Sequence, residues 1–232
     1  MPEPLYFLAA APKEQIQVPT LTHSQGVRQF LELPPYGRYE GWNLATLERA
    51  ELRSGSRLHI QNGERKFIDL DSDGTLTVIG AFDGFLGWGR WDFSKQPKVN
   101  GLAVIEFTYE FASFYERLLR EYAEPRPAEI RFSMGIRYAH FEAGDEKRKL
   151  ILTPGPVGER RLEGRRHEIR EPSFEESIEI KTSAETPYFD VGKITYQLVR
   201  RFYNRFGLTD DVVPYTNETH EAIDITQIKS NS

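Results

Sequence analysis

At Pro125 and Pro127 the hydrophobic period of this chain changes from that of a helix to that of a strand, and this change limits the fold more than any motif does. Upstream, Phe107, Phe111, Phe114, Leu118 and Tyr122 recur at steps of four, three, four and four, an aromatic stripe along a helix from Leu102 to Tyr122. Downstream, Ile130, Phe132, Met134, Ile136 and Tyr138 alternate, which places them on one face of a strand over Glu129 to Ala139. Lys149 to Leu152 is the expected pairing partner of that strand. An aromatic-faced helix and a half-buried strand bury their apolar faces together only as layers around a shared core.

The rest of the chain extends the same pattern. The apolar run within Met1 to Pro12 reads as a first strand, and Val27, Phe30 and Leu31 make Thr22 to Leu33 a short helix stopped by Pro34-Pro35. Arg57 to Ile60, Lys66 to Leu70, Thr75 to Ile79 and Phe85 to Trp88 are β-prone runs separated by Asn62-Gly63, Asp73-Gly74 and Asp83-Gly84, the signature of an antiparallel meander. Thr153 to Glu171, with its glycines, prolines and five arginines, reads as a loop. A strand over Ser177 to Thr182 and a second long helix over Val191 to Phe206 follow. The expected fold is α+β: an antiparallel twisted sheet, from the meander and the later strand pairs, packed by two long amphipathic, aromatic-faced helices. Residues 1–215 are expected to form a single domain and 216–232 a polar C-terminal tail.

Composition narrows the chemistry. The 232 residues include no cysteine, which removes disulfides, thiolate nucleophiles and thiolate metal sites and fits a reducing cytoplasm. No apolar stretch approaches the roughly 20 residues of a membrane helix, so a cytoplasmic protein with no membrane partner is expected. Neither a nucleophile elbow nor a phosphate-cradling or dinucleotide-binding glycine loop occurs, and no cofactor is implied. The five histidines stand at no metal-ligand spacing from one another, and no metal site is expected.

Two local patterns resemble catalytic or metal sites. Asp69 to Gly74 begins like a calcium loop, but its twelfth position is Gly80 rather than a bidentate glutamate, so an Asp-Gly hairpin turn is the better reading. Glu179 and Lys181, two apart in a strand, have the acid-x-lysine spacing that aims a carboxylate and an amine at a metal and a water. Completed by Asp145 or Glu163, they would make a metal-dependent nuclease site. Otherwise they are the solvent face of a half-buried strand.

The second long helix is the strongest candidate for a binding surface. Lys193, Gln197, Arg200, Arg201 and Asn204 cluster on one side, and Ile194, Leu198, Phe202 and Phe206 recur at steps of four on the other. In a chain of formal net charge -5, a helix without a single acid points to a negatively charged neighbour or ligand. Arg160, Arg161, Arg165, Arg166 and Arg170 could join it in tracking a nucleic-acid backbone, although Glu159, Glu163, Glu168 and Glu171 are interleaved with them. The competing reading sets the basic face beside an acidic helix face of Glu106, Glu110, Glu116 and Glu121.

The run Tyr36-Gly37-Arg38-Tyr39-Glu40-Gly41-Trp42-Asn43-Leu44-Ala45-Thr46, the strand at Ile68 to Leu70, the Asp73-Gly74-Thr75-Leu76 turn and the closing Phe202-Tyr203-Asn204-Arg205-Phe206-Gly207-Leu208 together resemble the C-terminal region of bacterial proteins that carry a Schlafen-type, Alba-like DNA-binding domain. The resemblance implies an accessory domain in nucleic-acid-linked, defence-related systems, with no catalytic residues to carry over. The resulting expectation is a non-catalytic binding or assembly domain that works with a protein partner and contacts nucleic acid through the basic helix. The alternatives are the nuclease-like site at Glu179 and Lys181 and a purely structural interaction module that packs through Trp42, Trp88 and Trp91.

Overall fold

A computed structural model describes residues 4–18, 25–32, 44, 49–53, 57–62, 66–81, 98–143, 146–153 and 167–230. In chain order its elements are β1 (Leu5–Pro12), α1 (Gln25–Glu32), β2 (Glu51–Arg53), β3 (Arg57–Asn62), β4 (Lys66–Leu70), β5 (Leu76–Ala81), β6 (Lys98–Asn100), α2 (Gly101–Tyr122), β7 (Glu129–Arg137), β8 (His140–Ala143), β9 (Glu146–Lys149), β10 (Ile151–Thr153), β11 (Phe174–Lys181), α3 (Val191–Arg205) and α4 (Ile225–Ser230). The fold is α+β. Seven strands form one antiparallel sheet in the order β11-β7-β1-β5-β4-β3-β2.

The meander appears as β3, β4 and β5, each beside the next. Its Asp73-Gly74 turn is a hairpin turn: Gly74 N donates to Asp71 O at 3.0 Å, Asp71 N donates to Thr75 O at 2.9 Å, and Gly74 takes φ +82, which glycine adopts without a Cβ penalty. Phe85 to Trp88 and Trp42, Trp88 and Trp91 lie outside the described residues, as does the Tyr36 to Thr46 run apart from the buried Leu44.

The expected pairing of β7 is corrected. β7 lies between β1 and β11, whereas residues 151–153 run parallel to β6, and Leu150 donates its N–H at 3.0 Å to the carbonyl of Ala139, two residues past the end of β7. Length decides the matter. β7 is buried from Phe132 to Ile136, so its main-chain groups need a long partner on either side; β1 and β11 supply eight residues each and β10 only three.

Register sorts the side chains into rows across the sheet. Leu52, Leu58, Leu70, Leu76, Ala10, Phe132 and Ile178 stand side by side on one face, one from each strand, and all except Leu52 are buried. The next row, on the opposite face, is Glu51, His59, Asp69, Thr77, Ala9, Ser133 and Ser177. The first face carries the core, completed by Phe107, Phe111, Phe114 and Leu118 of α2 and by Ile194, Leu198 and Phe202 of α3. Two buried hydroxyls tie α2 down: Tyr6 Oη lies 2.9 Å from Thr108 Oγ1, and Tyr115 Oη donates to Gly74 O at 3.0 Å. Phe30 of α1 packs on Phe114 with ring centroids 4.7 Å apart. With neighbours on several sides, α2 is buried over most of its circumference.

The expected polar tail is tied to the domain. Thr216 bridges to Ile223, and the buried Ile223 donates its N–H to Gly192 O at 3.0 Å. A Cβ on Gly192 would stand 2.6 Å from Ile223 O, so the glycine admits the segment to the start of α3. Among the described residues no helix is long and apolar enough to cross a membrane.

Candidate functional site

α3 is held at both ends by local chemistry. Asp190 caps its start, accepting from Lys193 N at 3.0 Å. At its end Gly207 takes φ +75 and donates to Asn204 O at 3.0 Å, while Leu208 donates to Tyr203 O at 3.2 Å, the paired bonds of a Schellman cap. Ile194, Leu198, Phe202 and Phe206 are buried as the spacing predicts. The opposite side therefore presents Lys193, Gln197, Arg200, Arg201 and Asn204 together, with Lys193 and Asn204 exposed and the other three partly so. Arg160, Arg161, Arg165 and Arg166 lie outside the described residues.

The guanidiniums on this surface are already engaged. Arg200 Nη1 lies 3.6 Å from Asp210 Oδ2, and its guanidinium carbon sits 5.8 Å from the centroid of the Tyr196 ring. Arg201 donates to the main-chain carbonyl of Ser177 in β11 at 2.6 Å and lies 3.8 Å from Glu176. Arg205, not among the residues singled out from sequence, binds Glu176 and holds both oxygens of Glu171 at 3.1 Å. The hydrogen bond to Glu176 makes the Arg205 guanidinium still harder to deprotonate. Its position four residues after Arg201 was the available signal, since i and i+4 share a helix face. Arg200, Arg201 and Arg205 thus stand against Glu171, Glu176 and Asp210, three cations against three carboxylates and close to local neutrality.

The acids that balance α3 are not those of α2. Glu106, Glu110 and Glu116 are buried; Glu116 Oε1 accepts from Tyr188 N at 3.2 Å and Oε2 lies 3.4 Å from Arg120. Glu121 is at the surface beside Arg117. The expected acidic helix face points largely inward because α2 is packed on several sides, so α3 is neutralised by β11, the turn before it and Asp210.

Strand alternation does put Glu179 and Lys181 on one side, with Phe174 and Ile178 buried on the other. There Glu179 accepts from Lys13 Nζ at 2.7 Å, and the same amine reaches Glu129 at 3.1 Å. These bonds hold the Glu179 carboxyl below its ordinary range and raise the Lys13 amine. An ammonium group therefore bridges the two carboxylates. Asp145 and Glu163 lie outside the described residues, and among the described residues no three histidine or acidic side chains converge as a metal site.

One pair was missed from sequence. His59 and Asp69 face each other across β3 and β4, with Nδ1 2.6 Å from Asp69 Oδ1. His59 is 5% exposed, and among the described residues its Nε2 is closed off with no hydrogen-bond partner, so the pair braces the sheet between β3 and β4. Their pairing follows from the register in which Asn62 stands opposite Lys66; a two-residue Asn62-Gly63 hairpin would have given another register.

Compared with known proteins, the chain matches no family model, no curated protein and no solved structure.

Proposed function

We propose that this chain is a non-catalytic binding and assembly domain that works with a protein partner, and that the polar face of α3 is its contact surface. The observation behind this reading is the presentation of Lys193, Gln197, Arg200, Arg201 and Asn204 along one side of a helix whose other side is locked into the core. Side chains fixed by Asp210, Glu176 and the Ser177 carbonyl lose little freedom on binding, which favours specific contact. Near-neutral local charge favours a protein surface of mixed charge over a bare polyanion.

Contact with a nucleic-acid backbone is the second reading, favoured by the absence of any acid on α3 itself. With Lys193, Arg200 and Arg201 as its cations, the logarithm of duplex DNA affinity should fall against log salt with a slope of about -3. The test is fluorescence anisotropy with labelled single- and double-stranded DNA and RNA, from low to near-physiological salt, with Lys193→Glu and Arg200→Gln as variants and circular dichroism to check folding. Salt-sensitive binding lost in both folded variants supports the nucleic-acid reading. Binding untouched by them moves the surface away from α3. Absence of binding at low salt removes nucleic acid and leaves the protein-partner reading, which a crosslinker placed at Lys193→Cys then tests in the native host: no specific crosslinked product would sink it.

A further inference from the structure

We propose that the β2 edge of the sheet is a homotypic docking strand, at which a second copy of this chain adds its own β2 antiparallel to the first. The inference is independent of the role of α3. The two sheet edges differ. At β11 the Ser177 carbonyl is covered by Arg201, and Glu176 is gripped by Arg205. At β2 all three residues are exposed, and Leu52, 46% exposed, continues the row of leucines that is otherwise buried across the sheet.

The charges of β2 are complementary to a copy of themselves. In an antiparallel pair centred on Leu52, Glu51 stands opposite Arg53 of the other copy, Arg53 stands opposite its Glu51, and the two Leu52 side chains meet on the other face. A two-fold axis passing between the two Leu52 residues generates all of these contacts at once. Within one copy the arrangement is unfinished. Arg53 is directly opposite Arg57, a like-charge pair; Arg57 is satisfied by Asp71 at 2.8 and 3.1 Å, whereas Arg53, among the described residues, has Glu51 at 3.9 Å. Pairing two copies would extend the polar row as Asp69, His59, Glu51, then Arg53, Arg57 and Asp71 of the second copy, acids on each outer side of a matched central pair. Three residues from each copy bury little area, so the dimer is weak and depends on concentration and salt.

Sedimentation velocity on the full chain, from low micromolar to near-millimolar protein, tests this with charge reversals. Wild type should shift from monomer to dimer as concentration rises. Glu51→Arg and Arg53→Glu should each stay monomeric, because each alone places like charges in apposition. An equimolar mixture of the two should dimerise again, since the wholly basic edge of the first variant then meets the wholly acidic edge of the second. The double reversal should also dimerise. A wild type that remains monomeric throughout overturns the proposal, as do single variants that dimerise like wild type or a mixture that does not associate.

Discussion

Replacing Lys66 by methionine should remove a rise in stability between pH 8 and pH 10. Lys66 sits on the core side of β4, in line with Ile68 and Leu70 and opposite Gly80, and is 4% exposed. Burial pushes its amine down from 10.5 to about 8. The sign follows from proton counting. Between those values the folded chain has released the proton and the unfolded chain still holds it, so unfolding takes up a proton and stability rises with pH. Below pH 8 both states are protonated and the cost of burying the cation is fully present.

At about 1.36 kcal/mol per pH unit, the wild type should gain about 2.5 kcal/mol over Lys66→Met between pH 7 and pH 10. For a chain of this size that corresponds to roughly 5–10 °C in Tm. Urea melts of both proteins at pH 7, 8, 9 and 10 give the difference directly, and groups that titrate alike in both cancel. The series stops at pH 10 because the buried phenols of Tyr6, Tyr115 and Tyr203 are raised by burial and ionise first in the unfolded chain, which destabilises both proteins at higher pH. A difference that stays constant from pH 7 to pH 10 would refute a desolvated lysine in the folded state.

Two glycine substitutions probe a close approach in the sheet and the cap of α3. A Cβ at Gly135 would fall far inside contact distance of the Phe174 carbonyl and 2.6 Å from the Phe7 ring, so Gly135→Ala should cost about 3 kcal/mol or more, because one obstacle is main chain that cannot rotate away. Gly207→Ala, with nothing near the added methyl and only a positive φ to oppose it, should cost about 1 kcal/mol in the same urea melts, and equal losses would contradict the packing argument. For His59 and Asp69, a double-mutant cycle with His59→Leu and Asp69→Val should show a coupling of about 1–3 kcal/mol, since either single change leaves a polar group without its partner and the pair of changes does not; additive losses would mean that the contact contributes nothing.

Local chemistry was legible and long-range register was not. The helix over α2, the β3 to β5 meander, the Asp73-Gly74 turn and the buried line of α3 follow from periods and turn residues within about twenty positions of one another. The insertion of β1 between β5 and β7 left no local signal, because an eight-residue apolar strand can pair with any strand of similar length. Parity within β4 shows the same limit. Lys66 points inward and Phe67 outward because Ile68 and Leu70 set the strand's face, so the ranking of a single residue as apolar or charged misleads there.

The surface of α3 shows why a helical wheel alone misjudges the charge a helix presents. Its five polar residues lie together as the spacing requires, but whether they form a field of positive charge depends on acids at 171, 176 and 210, none of them on the helix. Glu176 is the decisive one: its neighbours on the core face are buried, yet it sits at the edge strand where Arg201 and Arg205 can reach it. A pair of arginines that also fastens a helix to a sheet edge is fixed in direction and reduced in charge. That combination weakens long-range attraction for a polyanion while improving short-range fit to a partner of defined shape, because attraction follows net charge and fit follows preorganisation.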